Sequence, residues 1–170
     1  PKGYLTTYKD PEGRPTVYDL LDDRPREKAD WVFPVGRLDQ DTTGLLILTN
    51  DTAFGDYVTS PKSKVPKTYL VKASMLLTDE QLQSLRDGVM LSDGPTLPAV
   101  VRRVRDSAKQ TFFEITITEG RNRQVRRMVE ALGAKVLKLV RTKIGNIEIG
   151  SLEIGKHREL TLEEVKGLVI

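Results

Sequence analysis

The sequence predicts an α+β fold built on a mixed, mainly antiparallel β-sheet with flanking helices. Segments of strand-like composition follow one another in hairpins, whereas helical segments intervene at irregular intervals. Regular alternation of strands and helices is missing, as are the Gly-x-Gly-x-x-Gly and Walker-type loops of nucleotide-binding α/β proteins. The 170 residues suffice for one domain, or for two small lobes that share a cleft.

Composition restricts the chemistry available to the chain. The shares of hydrophobic residues (38%) and charged residues (30%) are typical of a soluble globular protein. No apolar run is long enough to span a bilayer and no secretory signal is evident, so we expect a cytoplasmic protein. Cysteine is absent, and the single histidine, His157, lies between two basic residues and is expected at the surface. Catalysis therefore depends on carboxylates, hydroxyls, Lys or Arg.

The N-terminal part of the chain is rich in turns. It starts in a strand-like segment without an initiator Met, and we expect that a further segment precedes Pro1 in the full-length protein. A turn is expected over residues 10–15 and a polar loop over residues 22–30. Residues 31–35 then resemble a short extended segment.

Residues 36–44 place two carboxylates, Asp39 and Asp41, between two glycines and directly before the aliphatic run 45–48. The run is expected to be a buried strand. Aspartates are common turn formers, so a simple turn would explain both residues. An acid at the entrance of a buried strand is also a candidate for catalysis. An Asp-x-Asp pair offers fewer oxygen ligands than hard-cation sites usually have, and we expect no metal here.

The later elements are predicted from capping residues and apolar periodicity. In order, they are a helix capped by Asp51 and ended at Ser60, a strand over 67–73, a helix with a Thr78/Gln81 capping box, a turn at 93–95, a hairpin of strands 99–105 and 111–118, a helix capped by Asn122, a strand over 135–144, and a last helix with a Thr161/Glu164 capping box. Tyr69 shares a strand face with Val71 and Ala73. The last helix is expected to bury four apolar side chains, those of Leu162, Val165, Leu168 and Val169.

The helix after Asn122 carries the second concentrated signal. One face is apolar, with Val125, Met128, Val129 and Leu132, and the opposite face is mostly basic, with Arg123, Arg126, Arg127 and Glu130. Residues 119–143 contain eight basic and two acidic residues, whereas the whole chain has a net charge of only +3. A solvated helix face would explain this pattern. Clustered guanidinium groups also bind phosphates, and the absence of Trp and Phe on the apolar face favours nucleic acid over a membrane.

Three motifs occur in a recognisable order. They are Gly-Arg-Leu-Asp at 36–39 with Thr-Gly-Leu-Leu at 43–46, Lys-Thr-Tyr at 67–69, and Glu-Gly-Arg-Asn-Arg-Gln-Val-Arg-Arg-Met at 119–128. Together with the opening Pro-Lys-Gly-Tyr-Leu-Thr-Thr, they resemble the motif set of the RsuA-type rRNA pseudouridine synthases. The Asn-Arg-Gln-Val-Arg-Arg form is most similar to the RluB and RluE branches, which act on large-subunit rRNA.

The resemblance implies a pseudouridine synthase fold with a central RNA-binding cleft. It implies that Asp39 is the catalytic aspartate, that Tyr69 packs against a flipped target base, and that Arg126 ion-pairs with Asp39. Asp41 is expected to brace the loop. RNA contacts are expected at six basic residues, namely Arg37, Lys67, Arg121, Arg123, Arg127 and Arg141.

The resemblance also bears on domain organisation and partners. Residues 1–170 are expected to form the catalytic domain, without the small N-terminal RNA-binding domain that family members commonly carry. The chain is expected to act as a monomer on rRNA. Isomerisation of uridine is redox-neutral, so no cofactor is expected.

Other functions stay open. A small-subunit rRNA synthase would use the same motifs, and a non-catalytic rRNA-binding or ribosome-assembly factor would use the basic helix alone. A nucleoside hydrolase with paired carboxylates would release free uracil. The combination of Asp39, Tyr69 and Arg126 favours the synthase, but whether Asp39 attacks the ribose C1′ or removes a sugar proton is open.

Overall fold

The computed structural model describes residues 1–7, 10–21 and 32–169. These residues contain ten strands, numbered in chain order: β1 (Phe33–Pro34), β2 (Thr43–Gly44), β3 (Leu48–Thr49), β4 (Lys67–Ala73), β5 (Met90–Leu91), β6 (Gly94–Pro95), β7 (Val100–Asp106), β8 (Thr111–Ile117), β9 (Val136–Ile144) and β10 (Ile147–Glu148). The predicted loop at 22–30 and Trp31 lie outside the described residues.

Six of the described strands form the central sheet, in the order β10-β9-β4-β8-β7, with β2 also paired to β9. The β2–β9 pair is parallel and the other pairs are antiparallel. The pairs β1–β3 and β5–β6 form two small separate sheets. The mixed, mainly antiparallel sheet predicted from the sequence is therefore confirmed.

The predicted strand at 67–73 is β4, with the expected bounds. Val71 and Ala73 are fully buried on its core face, and Tyr69 packs against the same cluster. The predicted hairpin is confirmed as β7 and β8, in which alternate β8 residues are buried. This alternation arises because one face of the sheet is covered by helices.

Four α-helices lie in the described residues: α1 (Thr52–Thr59), α2 (Asp79–Asp87), α3 (Gln124–Glu130) and α4 (Leu162–Leu168). The Asp51 carboxylate accepts a hydrogen bond from the Phe54 amide and caps α1, as predicted. The capping boxes that begin at Thr78 and Thr161 are both present. Among the described residues, no helix has the length and apolar character needed to cross a membrane.

Three local predictions are wrong. The run 45–48 is not one strand, because the chain leaves β2 after Gly44 and re-enters a strand only at Leu48, although Leu45 and Ile47 are buried. The N-cap of α3 is Arg123 rather than Asn122. In α4, Leu168 is buried and Val165 packs against the core, whereas Leu162 and Val169 are exposed, because this two-turn helix contacts the core along one edge.

The core consists of two apolar clusters. The larger one fills the space between the sheet and helices α2 and α3. The smaller one packs α1 and α4 against Ile144 and Ile147 and includes Val35 and Leu45. Val35 and Leu45 of the smaller cluster flank residues 36–44, and α3 belongs to the larger cluster. Residues 36–44 therefore lie where the two clusters meet.

Candidate active site

The acidic loop, residues 36–44, carries both candidate carboxylates. The Thr42 amide donates to the main-chain oxygen of Asp39 at 2.9 Å, which closes a turn around the Asp39–Asp41 segment. The Asp39 side chain is 29% exposed and that of Asp41 is 41% exposed. Both carboxylates are therefore accessible from solvent.

The N-terminal segment braces this loop from outside. The Thr6 hydroxyl donates to the main-chain oxygen of Leu38 at 3.0 Å and accepts from the Leu38 amide at 3.1 Å. The Gly3 amide donates to the main-chain oxygen of Gln40 at 2.8 Å. Sequence reasoning missed Thr6, because it acts across 32 positions. The one available signal was the resemblance of the opening segment to the family.

The C-terminal end of the loop lies against β9. Gly44 has φ +118°, and a Cβ atom there would lie 2.2 Å from the main-chain oxygen of Arg141. The Leu45 amide donates to that same oxygen at 2.8 Å. Only glycine allows the two backbones to approach so closely.

Arg141 holds this junction from within the protein. It is 3% exposed, and its Nε atom donates to the main-chain oxygen of Leu45 at 2.8 Å. Its Nη1 atom donates to the main-chain oxygen of Arg37 at 3.4 Å. The expected contact of Arg141 with RNA does not fit this burial, because its guanidinium is used on loop carbonyls. Arg37 itself is exposed.

Arg126 also binds the backbone of the acidic loop. Its Nη2 atom donates to the main-chain oxygen of Asp41 at 3.0 Å and to the Thr42 hydroxyl at 3.3 Å. Its ion pair is with the Asp41 carboxylate at 3.5 Å, so the expected Arg126–Asp39 pair is wrong. The side chain is 10% exposed, so the alternative of a solvated helix face does not hold for Arg126. Arg126 lies in the first turn of α3 and reaches the loop as a nearly buried side chain.

Arg123 is the arginine that faces the carboxylates. Its guanidinium forms a forked pair with Asp41, at 3.0 and 3.1 Å, and its Nη1 atom lies 3.6 Å from Asp39 Oδ2. The hydrogen bond from Arg123 holds the pKa of the Asp41 carboxyl below its usual range, and partial burial opposes this effect. Asp39 is thus solvent-accessible and next to a fixed positive charge.

Tyr69 lies near the acidic loop across β9. Arg141 pairs with Gly44 of β2 on one side of β9 and with Tyr69 of β4 on the other. Two strand spacings therefore separate Tyr69 from the end of the loop, about 10 Å between main chains. Tyr69 is half-buried. Lys67, two residues earlier on β4, is also half-buried. Its pKa is lowered, chiefly by burial and to a smaller extent by the positive charge of Arg141.

Arg121 and Arg127 bind the β5–β6 hairpin in the free protein. Arg127 forms a forked pair with the Asp93 carboxylate, with contacts at 2.7 and 3.2 Å. Arg121 donates to Asp93 at 3.2 Å and to the main-chain oxygen of Pro95 at 2.9 Å. Sequence reasoning missed Asp93, which lies in a predicted turn. The RNA contacts expected at Arg121 and Arg127 stay predictions.

Nothing in the described part of the chain gathers three or more His, Cys, Asp or Glu side chains in a geometry that could hold a metal ion. His157 is exposed, as expected. A largely apolar cavity of about 820 Å³ adjoins the acidic loop at Leu38 and at residues 42–44. Its described lining does not include Asp39 or Tyr69, so we place the candidate site at the carboxylates and not in this cavity.

Comparison with known proteins agrees with the motif pattern. A family model for RNA pseudouridylate synthase matches residues 1–131. The chain is 42% identical to ribosomal large subunit pseudouridine synthase B of Bacillus subtilis, over 99% of this chain and 68% of that protein. It is 40% identical to ribosomal large subunit pseudouridine synthase E of Vibrio parahaemolyticus, over 95% of this chain and 71% of that protein.

The fold agrees as well. A crystal structure of a pseudouridylate synthase matches 99% of this chain and 70% of its own chain, with a TM-score of 0.90 and 37% sequence identity. The fold class expected from the resemblance is therefore confirmed. The family match over most of the chain and the close structural match lead to one conclusion: this chain belongs to the RNA pseudouridylate synthase family.

Proposed function

We propose that this protein isomerises a specific uridine of large-subunit rRNA to pseudouridine, with Asp39 as the catalytic residue. The observation that carries the proposal is the position of Asp39: an accessible carboxylate, on a loop braced from three sides, facing the Arg123 guanidinium. Membership of the synthase family supports the reaction type. The names of the relatives support large-subunit rRNA over the small-subunit alternative.

The reaction needs a carboxylate and no external reagent. The bond between uracil N1 and ribose C1′ breaks, the base turns, and a bond forms between uracil C5 and C1′. The proton lost from C5 is balanced by the proton gained at N1, so neither atoms nor electrons are exchanged. An ionised Asp39 either attacks C1′ or removes a sugar proton, and both routes require the charged form beside the cation.

The target uridine must leave the RNA stack before Asp39 can reach it. Unstacking costs a few kcal/mol, and less in loops than in duplexes. An aromatic ring repays about 1–3 kcal/mol by stacking on the flipped base. We propose Tyr69 for this role, because it is half-buried on the strand next to the one that carries Arg141.

The proposal extends to the organisation of the protein. Residues 1–170 act as a catalytic domain, and a single chain supplies Asp39, Tyr69, Arg123 and Arg126, so a monomer is sufficient. Exposed Arg37 and half-buried Arg127 of α3 contact RNA phosphates. We propose that the reaction takes place in the cytoplasm, because rRNA is its substrate. The chemistry uses no cofactor.

The experiment is to incubate rRNA from cells that lack this protein with the purified wild type or with Asp39→Asn, and then to map pseudouridines. The wild type is expected to add pseudouridine at a defined site in large-subunit rRNA. Asp39→Asn is expected to lower the rate by about a thousandfold or more. The control is Asp56→Asn, which changes an exposed aspartate on α1 and is expected to keep wild-type activity.

Each alternative function gives a different result. Wild-type activity in Asp39→Asn would contradict the role of Asp39. Modification confined to small-subunit rRNA would identify the other branch of the family. RNA binding without any modified nucleotide would indicate an assembly factor, and free uracil in the supernatant would indicate a hydrolase.

A further inference from the structure

Two arginines, Arg126 of α3 and Arg123 at its N-cap, reach the acidic loop and make different contacts there. Arg126 is almost fully buried and binds the main-chain oxygen of Asp41 and the Thr42 hydroxyl. Arg123 is 44% exposed and binds carboxylates only, Asp41 with a fork and Asp39 at 3.6 Å. Arg126 therefore holds the loop backbone and makes a longer pair with the Asp41 carboxylate at 3.5 Å, whereas Arg123 is the one of the two that contacts both carboxylates.

The backbone at Arg123 is what directs its side chain to the loop. Arg123 is the N-cap of α3 and has φ +46° and ψ +37°, a left-handed conformation that residues with a Cβ atom rarely adopt. Its side chain makes no capping hydrogen bond, although capping is the usual reason for a polar residue at this position. A disfavoured backbone without a capping role indicates that contact with Asp39 and Asp41 is what this residue provides.

We propose that Arg123 is a positioning residue for pseudouridylation, which fixes the orientation of the Asp39 carboxylate by spanning Asp39 and Asp41. This inference rests on the proposed function. The pair with Asp41 anchors the guanidinium, since both of its terminal nitrogens bond to that carboxylate. The same group then lies beside Asp39, where a shift of about 1 Å in a reacting group costs about a hundredfold in rate.

The alternative is that Arg123 simply binds an RNA phosphate. The two roles separate in steady-state kinetics, because loss of a phosphate contact weakens binding and changes its salt dependence, whereas loss of positioning lowers the rate of the bound complex. The measurement is therefore kcat and KM for pseudouridine formation, at two salt concentrations, on an rRNA fragment that holds the modified site.

Arg123→Asn is the main variant, because asparagine tolerates the left-handed backbone and the substitution removes the guanidinium with its fork to Asp41. We expect kcat to fall about a hundredfold while KM changes less than about threefold. Arg123→Lys keeps a positive charge without the fork and is expected to recover part of kcat. Thermal unfolding checks that both variants are folded.

Arg103→Asn is the matched control. Arg103 also spans two carboxylates, those of Asp79 and Asp106, but it lies on β7 outside the site. The Arg103→Asn variant is expected to keep wild-type kcat and KM. A rise in KM with unchanged kcat in Arg123→Asn, or equal effects of the Arg123 and Arg103 variants, would overturn the inference. If the wild type itself forms no pseudouridine, the proposed function fails and the inference fails with it.

Discussion

The guanidinium of Arg126 donates to the main-chain oxygen of Asp41 at 3.0 Å, across 85 positions of sequence. This bond joins the helix that carries the basic residues to the loop that carries the carboxylates. The same nitrogen also reaches the Thr42 hydroxyl, which is buried. The two conspicuous sequence signals, the acidic loop and the basic helix, are therefore parts of one structural unit.

Arg126→Met is expected to loosen the acidic loop. The substitution leaves the buried Thr42 hydroxyl and the Asp41 carbonyl without their donor, which costs about 1–3 kcal/mol of unfolding free energy. Displacement of Asp39 should lower the rate of pseudouridine formation by about a hundredfold. Thermal unfolding and the rRNA modification assay measure the two effects.

Arg86→Met provides the comparison for Arg126→Met. The Arg86 Nε atom donates to the main-chain oxygen of Val101 at 3.0 Å, so the same kind of bond is removed away from the loop. It is expected to lower stability and to leave the activity of the folded protein unchanged. Equal activity of the Arg86 and Arg126 variants would show that Arg126 does not position Asp39.

Gly44→Ala is expected to be the most destabilising single methyl addition near the site. Its Cβ atom would lie 2.2 Å from the main-chain oxygen of Arg141, and φ +118° is unfavourable for alanine. Together these effects should cost about 2 kcal/mol or more. The unfolding temperature should then fall by about 5 °C or more for a chain of this length.

Gly133→Ala separates the two causes. Gly133 also has a positive φ, +87°, but no atom lies within 4 Å of a Cβ atom built there. Gly133→Ala therefore has the cost of an unfavourable φ but no steric clash. We expect it to be more stable than Gly44→Ala. If Gly44→Ala unfolds at the same temperature as Gly133→Ala, then β2 and β9 can separate without loss, contrary to the close approach seen here.

The sequence was sufficient to predict features that depend on neighbouring residues. The Thr78/Gln81 capping box and the bounds of β4 are both confirmed, because each depends on residues within a few positions of one another. The hairpin of β7 and β8 was predicted for the same reason. The resemblance of the three motifs to a known family made it possible to predict the overall fold and the family as well.

The side-chain contacts of Arg123 and Arg126 could not be predicted from the sequence. The prediction placed Arg123 inside the helix, on one face with Arg126 and Arg127, whereas in the structure Arg123 is the N-cap and has a left-handed backbone. Helical periodicity therefore could not show whether Arg123 or Arg126 faces Asp39. The left-handed conformation of Arg123 depends on long-range contacts and has no local signal, since arginine is not a residue that favours it.

Asp41→Asn tests the charge network through pH. The folded-state pKa of Asp41 lies below its usual value of 3.8, chiefly because of the hydrogen bond from Arg123. Its ionised form therefore contributes stability above about pH 4, and this contribution is lost as pH falls through the folded-state pKa. The wild type should unfold at a higher temperature than Asp41→Asn near neutral pH, and the gap should close as the pH falls below the usual Asp value of 3.8. A gap that stays constant over this range would mean that the Asp41 charge does not contribute.

Tyr69→Leu and Tyr69→Phe test whether the ring or the hydroxyl of Tyr69 is needed. Stacking on a flipped base requires the ring alone, so Tyr69→Phe should keep most activity, whereas Tyr69→Leu should lose about 1–3 kcal/mol of stabilisation of the flipped state. That corresponds to a fall of about 5- to 150-fold in kcat/KM for the rRNA fragment. Tyr57→Leu controls for loss of packing, because Tyr57 is a half-buried tyrosine on the other apolar cluster. If Tyr69→Phe is as inactive as Tyr69→Leu, the hydroxyl takes part in the chemistry and stacking is not the role of this residue.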